Sequence, residues 1–293
     1  MKKQSFFAIG LLILIGIVSS SVAFGQAKKA PKGAINGLFT INKNGDQVYF
    51  SQGNLQYIGS ASKPYWKFAD HQWDYIGRQQ NGDSQNIDRD LFGWGTSGID
   101  HGAVCYQPWS IDYTSTNYLP YGDNYHLYGK DGTADWGANP ISNGGNKAKT
   151  WRTLSINELE YVLSYRDTPS SIRFVKAQVN GVNGIIILPD NWSRITYILQ
   201  NKNDKRASYE GNIISLEDWM NIEKNGAVFL PAAGYRHWKA VGNDGSYGCY
   251  WTSNCGFEKN EAYSIRFENS AIYYAGREEK NNGLSVRLVC PAQ

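Results

Sequence analysis

Three stretches near the C-terminal end gather side chains whose types suit recognition. They are Tyr235, His237 and Trp238 in GYRHWKAVGNDG, then Asn254, Phe257 and Glu258 in SNCGFEKNE, then Tyr273, Tyr274, Arg277 and Asn281 in AIYYAGREEKNNG. Aromatic rings supply rigid contact area at low entropy cost, and Arg and Asn add directional hydrogen bonds. That chemistry is stacking on a sugar ring or a peptide, with polar groups fixing the orientation. The competing reading is that several of these rings fill the core or seal loops onto it.

Signals for covalent chemistry are weaker. His71, His101, His126 and His237 are isolated, with no nucleophile elbow and no HExxH pair. The two facing carboxylates of a glycoside hydrolase have no sequence spacing of their own, which leaves a hydrolase as an alternative. Asp83, Asp88 and Asp90 could offer oxygen ligands to Ca2+, but Arg89 interrupts them and the spacing is not that of a calcium loop. They read as solvated turn residues, and no cofactor is expected. Four cysteines, Cys105, Cys249, Cys255 and Cys290, allow two disulfides in three connectivities. They lack CxxC or His-Cys spacing, so a structural or idle role is expected.

The elements that must position the recognition residues are short strands. GAVFLPAAGYRHW, GSYGCYWTSN, EAYSIRFEN, AIYYAG and GLSVRLVC are rich in aromatic and β-branched residues and separated by turn residues, a pattern of antiparallel strands. Strict alternation puts Tyr263, Ile265 and Phe267 on one face and Ser264, Arg266 and Glu268 on the other. It likewise turns Leu284, Val286 and Leu288 inward and Ser285 and Arg287 outward. Upstream, Ser155 and Glu158 form a capping box before Ile156, Leu159, Val162 and Leu163, predicting a helix that ends near Tyr165 or Arg166. RFVKAQVNGVNGIIILP reads as a hairpin about Asn180–Gly184. A second helix is expected from Ser215 to the C′ glycine Gly226. GLFTIN, QVYFSQGNLQYIG and KPYWKFA read as further strands. Between Asp70 and Asn146, Trp73, Trp94, Trp109 and Trp136 are expected to pin a Gly- and Asp-rich loop layer onto the core.

The N-terminus carries an address. Lys2 and Lys3 precede the uncharged apolar run Phe6 to Val18, and Ala23 and Gly25 sit at −3 and −1 from a cut before Gln26, a secretory signal pattern. Residues 1–25 are therefore expected to be a signal peptide, 26–34 a linker, and 35–293 a single domain with a β-rich N-terminal extension. A net charge of +3 provides no basic footprint for nucleic acid. No second run of membrane-spanning length follows, so the mature chain is expected outside the cytoplasm: periplasm, cell surface or medium.

The order of these motifs resembles a known fold. WRTLSINELEYVLSYR (151–166), LPAAGYR (230–236), GSYGCYWTSN (245–254) and SVRLV (285–289) are similar to the C-type lectin-like fold, in the branch shared with formylglycine-generating enzyme. ISNGGN (141–146), LPDNW (188–192) and LPAAGYR resemble phrases of exported Bacteroidetes proteins. The resemblance covers the chain from about Gly37 onward. It implies an α+β domain, two main helices packed on short, mostly antiparallel sheets with long loops. Fold alone does not give activity. The copper-binding cysteine pair of the enzyme branch is not matched by Cys249 and Cys255, and the Glu-Pro-Asn and Gln-Pro-Asp sugar-binding tripeptides of calcium-dependent lectins are missing from the sequence. The expected function is non-enzymatic binding or adhesion to a glycan or protein. An enzyme of the formylglycine-generating or glycan-processing class and a structural envelope protein are the alternatives.

Overall fold

The computed structural model describes residues 30–82, 84, 86–99, 126–127 and 132–292. The signal-peptide reading, most of the linker, Asp83, His101, Cys105 and Trp109 lie outside the described residues. What is described is an α+β arrangement of short strands and two helices.

Local signals set both helices. Ser155 Oγ accepts from Glu158 N at 3.2 Å while Glu158 Oε2 accepts from Ser155 N at 2.8 Å, so the capping box opens helix α1, Ile156–Glu160. The helix widens into a π-helical turn, Tyr161–Tyr165, and stops at Arg166, close to the expected end. Helix α2, Leu216–Lys224, starts from Ser215, whose Oγ accepts from Asp218 N at 3.1 Å. Beyond it Gly226 adopts φ 90° against Gly37; an added Cβ would sit 2.7 Å from Gly37 Cα.

Three sheets carry the fold. One sheet joins the two ends of the described chain: Phe39–Thr40, Gln47–Phe50, Leu288–Pro291 and Arg152–Thr153, in that spatial order. The second runs Val228–Pro231, Val182–Ile187, Phe174–Val179, Ile213–Ile214. Its central hairpin turns through Asn180 (φ 48°) and Gly181 (φ 80°), the two positive φ values a tight hairpin turn requires. The third runs Ala271–Glu279, Glu261–Glu268, Gly248–Cys255, Leu284–Ser285, Leu91–Phe92.

Burial on both faces of the sheets is the main departure from the strand reading. Tyr250, Ile265, Phe267 and Ile272 of the third sheet pack with Phe39, Phe50, Leu159, Val162 and Val289 in a central core. On its other face Cys249, Trp251, Ala262 and Leu284 meet a tryptophan-rich layer of Trp66, Trp94, Trp136 and Trp151. The second sheet is capped by Trp219 and Ile222 of helix α2. A two-sided sheet has no solvent face to enforce strict alternation. Ser264 is buried while Tyr263 is half-buried, and the pairing of their strand with Ala271–Glu279 shifts register between Ser264 and Arg266.

Ser285 and Arg287, expected outward, are buried as well. Arg287 Nη2 donates to Gln72 Oε1 and Nη1 to Asn54 Oδ1 at 3.4 Å, so its charge is solvated by side-chain amides. Asp90 is no solvated turn residue either: it is buried and accepts from Ile76 N at 2.7 Å and from Gln80 Nε2. Asp88 holds Ser60 through its N and Oγ at 3.1 and 2.7 Å.

Candidate functional site

The short hairpin Tyr235–His237 and Ala240–Gly242 stands beside the third sheet. Alternation turns Arg236 inward, fully buried, where Nη2 donates to Gln80 O and its backbone pairs with Gly283. Its neighbours Tyr235 and His237 consequently face the other way, over a cleft of about 400 Å3. Tyr235, His237, Asn243, Tyr247, Cys249, Arg266, Glu278 and Asn282 line it. That size suits a small ligand or one residue of a polymer.

Strand register builds the rest. Arg266 pairs with Cys249 on one neighbouring strand and with Tyr273 on the other. Its guanidinium carbon lies 4.6 Å from the Tyr273 ring centre and 5.9 Å from that of Tyr247, a cation held between two aromatic faces. Its Nη1 is 4.0 Å from Glu278 Oε1, and its side chain retains 37% exposure.

Glu278 belongs to a polar relay. Asn282 hydrogen-bonds Glu278 through its side chain, and its Oδ1 lies 3.1 Å from His237 Nδ1. Orienting the amide so that its NH2 donates to Glu278 makes His237 Nδ1–H the donor to Asn282 Oδ1, an assignment from the network. Burial raises the Glu278 carboxyl above the ordinary range, against the opposing pull of Arg266 and Asn282. Tyr247 is raised chiefly by its hydrogen bond to Glu268. At the floor, burial pushes the Cys249 thiol up to about 12, with the Glu278 charge adding to it. Cys249 and Cys290 are buried free thiols, and Cys249 is not bonded to Cys255.

The ten sequence-selected residues divide. Tyr235 and His237 line the cleft and Tyr273 covers Arg266. Trp238 projects from the hairpin tip, 53% exposed at φ 56°. Phe257, Tyr263 and Arg277 form a separate surface group: Phe257 stands edge-on to Tyr263 at 5.9 Å, and Arg277 lies 5.5 Å from the Phe257 ring and 3.3 Å from Glu261 Oε2. Glu258 is exposed beside it.

Three candidates serve the scaffold. Asn254 Oδ1 accepts from Ile156 N at 2.8 Å, satisfying an amide at the start of helix α1. Tyr274 packs against the central core with Lys205 Nζ 3.8 Å from its ring, on the opposite face from Tyr273. Asn281 is buried. Asn243, Tyr247, Cys249, Arg266, Glu278 and Asn282 escaped the sequence reading. Their only signal was the polar face assigned to Arg266, and the pairing that joins them is long-range.

A larger recess of about 570 Å3 lies between the 41–48 turn and Pro291. Arg152 and Glu158 on its wall are closed on each other through two bonds of 2.8 and 2.7 Å, and Asp46 accepts from Asn42 Nδ2 at 2.8 Å. Among the described residues, no group of three His, Cys, Asp or Glu is placed to hold a metal ion, and no helix is long and apolar enough to cross a membrane.

No curated protein and no solved structure matches this chain. A family model described as a domain of unknown function (DUF8237) matches residues 193–289, about one third of the chain, and every residue lining the cleft falls inside that stretch.

Proposed function

We propose that this is an exported, non-enzymatic binding or adhesion protein that recognises a glycan or protein ligand through the cleft beside the Tyr235–His237 hairpin. The observation that carries the reading is Arg266, half-exposed between Tyr247 and Tyr273 and next to Glu278 in a concave, polar-aromatic site. The rigid sheet beneath supplies preorganisation, which lowers the entropy lost on binding. A C-type lectin-like architecture is proposed with it, supported by the pairing of Gln47–Phe50 with the last strand, Leu288–Pro291, and by a capped helix packed against short antiparallel strands. A thiol-based enzyme gains less support, because Cys249 in the cleft is held protonated.

Glycan and protein arrays probed with the mature chain test the proposal. Wild type should bind at least one class, and Tyr273→Ala should weaken that binding at least tenfold with the melting temperature kept. Binding that ignores Tyr273→Ala and Arg266→Gln alike would remove the cleft from the account. A second reading, envelope assembly, is favoured by Ile195, Ile198, Ile213, Leu216 and Met220, all exposed in and around helix α2. Concentration-dependent sedimentation, abolished by Met220→Glu, would support it.

A further inference from the structure

On the reading that this cleft is the recognition site, its ligand can be narrowed by asking what Arg266 lacks. The other buried or half-buried arginines are closed on oxygen acceptors. Arg166 donates to Asp190 Oδ1 at 2.7 Å and Leu188 O at 2.6 Å, Arg152 is bidentate to Glu158, and Arg287 reaches Gln72 and Asn54. Arg266 is different. Its nearest carboxylate oxygen is 4.0 Å away, outside hydrogen-bonding range. Two tyrosine rings flank the guanidinium carbon at 4.6 and 5.9 Å, while Glu278 is held by Asn282.

A planar cation oriented in advance, with its terminal Nη groups unclosed, fits a planar two-oxygen anion. Glu278 decides which anion. A phosphate would bring close to two negative charges beside that carboxylate, whereas a carboxylate brings one. The rest of the lining decides what carries it. Tyr235, Tyr247, Asn243, Asn282, His237 and Glu278 surround Arg266 with aromatic faces and mixed donors and acceptors, and among the described residues no aliphatic side chain lines the cleft. Ring hydroxyls both donate and accept, so they match such a wall; the side chain of a bound peptide would find no aliphatic pocket.

The geometry points to a sugar acid as the ligand, its carboxylate paired with the Nη groups of Arg266, its ring stacked on tyrosine and its hydroxyls on Glu278 and Asn282. Calorimetric titration of the mature chain with galacturonate and glucuronate oligosaccharides tests this. Comparison arms are their methyl esters, the matching neutral oligosaccharides, and peptides with free or amidated C-termini. The acid oligosaccharides should bind at least tenfold more tightly than their esters and neutral counterparts. Arg266→Gln should erase that preference, and Arg266→Lys should restore part of it, both with an unchanged melting temperature. Equal binding of acid, ester and neutral sugars, lost in Tyr273→Ala but not in Arg266→Gln, would overturn the carboxylate inference and keep the cleft as the site. Binding of free-carboxylate peptides in place of uronates would overturn the sugar acid. Array binding by wild type that survives both Tyr273→Ala and Arg266→Gln would overturn the cleft itself.

Discussion

Removing the carboxylate of Asp190 tests how the LPDNW segment closes the fold. Asp190 accepts from Thr40 N at 3.1 and 2.9 Å, Thr40 Oγ1 at 2.8 Å, Gln47 Nε2 at 2.8 Å and Arg166 Nη1 at 2.7 Å. It thereby ties the first strands to the end of helix α1. The Arg166 side chain is 1% exposed and that of Asp190 19%, and burial pulls the Arg166 guanidinium below its ordinary range. Asp190→Ala leaves that guanidinium with the Leu188 and Val162 carbonyls and no anion. Deleting one partner of a buried ion pair costs about 3–5 kcal/mol, where an exposed pair contributes at most about 1 kcal/mol. At about 2–4 °C per kcal/mol for a domain of this size, the melting temperature should fall by roughly 6–20 °C. Asp190→Asn retains one acceptor oxygen and should lose about half as much. Urea and thermal unfolding followed by circular dichroism give both values. A loss below about 1 kcal/mol at unchanged m-value would mean that the pair behaves as a surface contact, and the closing role assigned to Asp190 would be wrong.

Other predictions concern Asp90, the thiols and Trp238. Burial raises the Asp90 carboxyl from 3.8 to about 6, outweighing the hydrogen bonds from Ile76 and Gln80. Because the folded value is the higher one, its contribution is complete below 3.8 and is lost as pH rises through about 6, a swing of about 3 kcal/mol. Asp90→Asn should remove that component from the stability difference between pH 4 and pH 7; an unchanged slope in urea unfolding would contradict the assignment. Burial lifts the thiols of Cys249 and Cys290 to about 12 and about 11, so peptide mapping after treatment with a thiol reagent at pH 8 should find both unlabelled until the chain is unfolded. Labelling of native Cys249 would show a reactive cleft thiol instead. Trp238→Ala should change unfolding stability by less than about 1 kcal/mol, because the ring is half-exposed; a loss of about 3 kcal/mol would mark it as core.

Local chemistry in the chain was enough to specify the helix starts, the hairpin turn and the strand positions. Ser155 with Glu158, Ser215 with Asp218, Asn180 with Gly181, and Gly226 each act within a few residues, where side-chain spacing and allowed φ angles decide the outcome. The aromatic and polar residues of the C-terminal loops were legible too, and of them Tyr235, His237 and Tyr273 lie around Arg266. Facing was not legible. Tyr273 and Tyr274 have the same hydroxyphenyl side chain, yet one covers the cleft and the other joins the core, since adjacent strand residues point to opposite faces. Which face meets solvent depends on what packs there: both faces of the third sheet are covered, which buries Ser264 and Ser285, and Gln72 and Asn54, more than 200 positions away in sequence, accommodate Arg287. The cleft itself is a tertiary product. Arg266, Glu278 and Asn282 meet only after register shifts in the third sheet and after Arg236 anchors the hairpin, through pairings between strands that leave no periodicity in the chain.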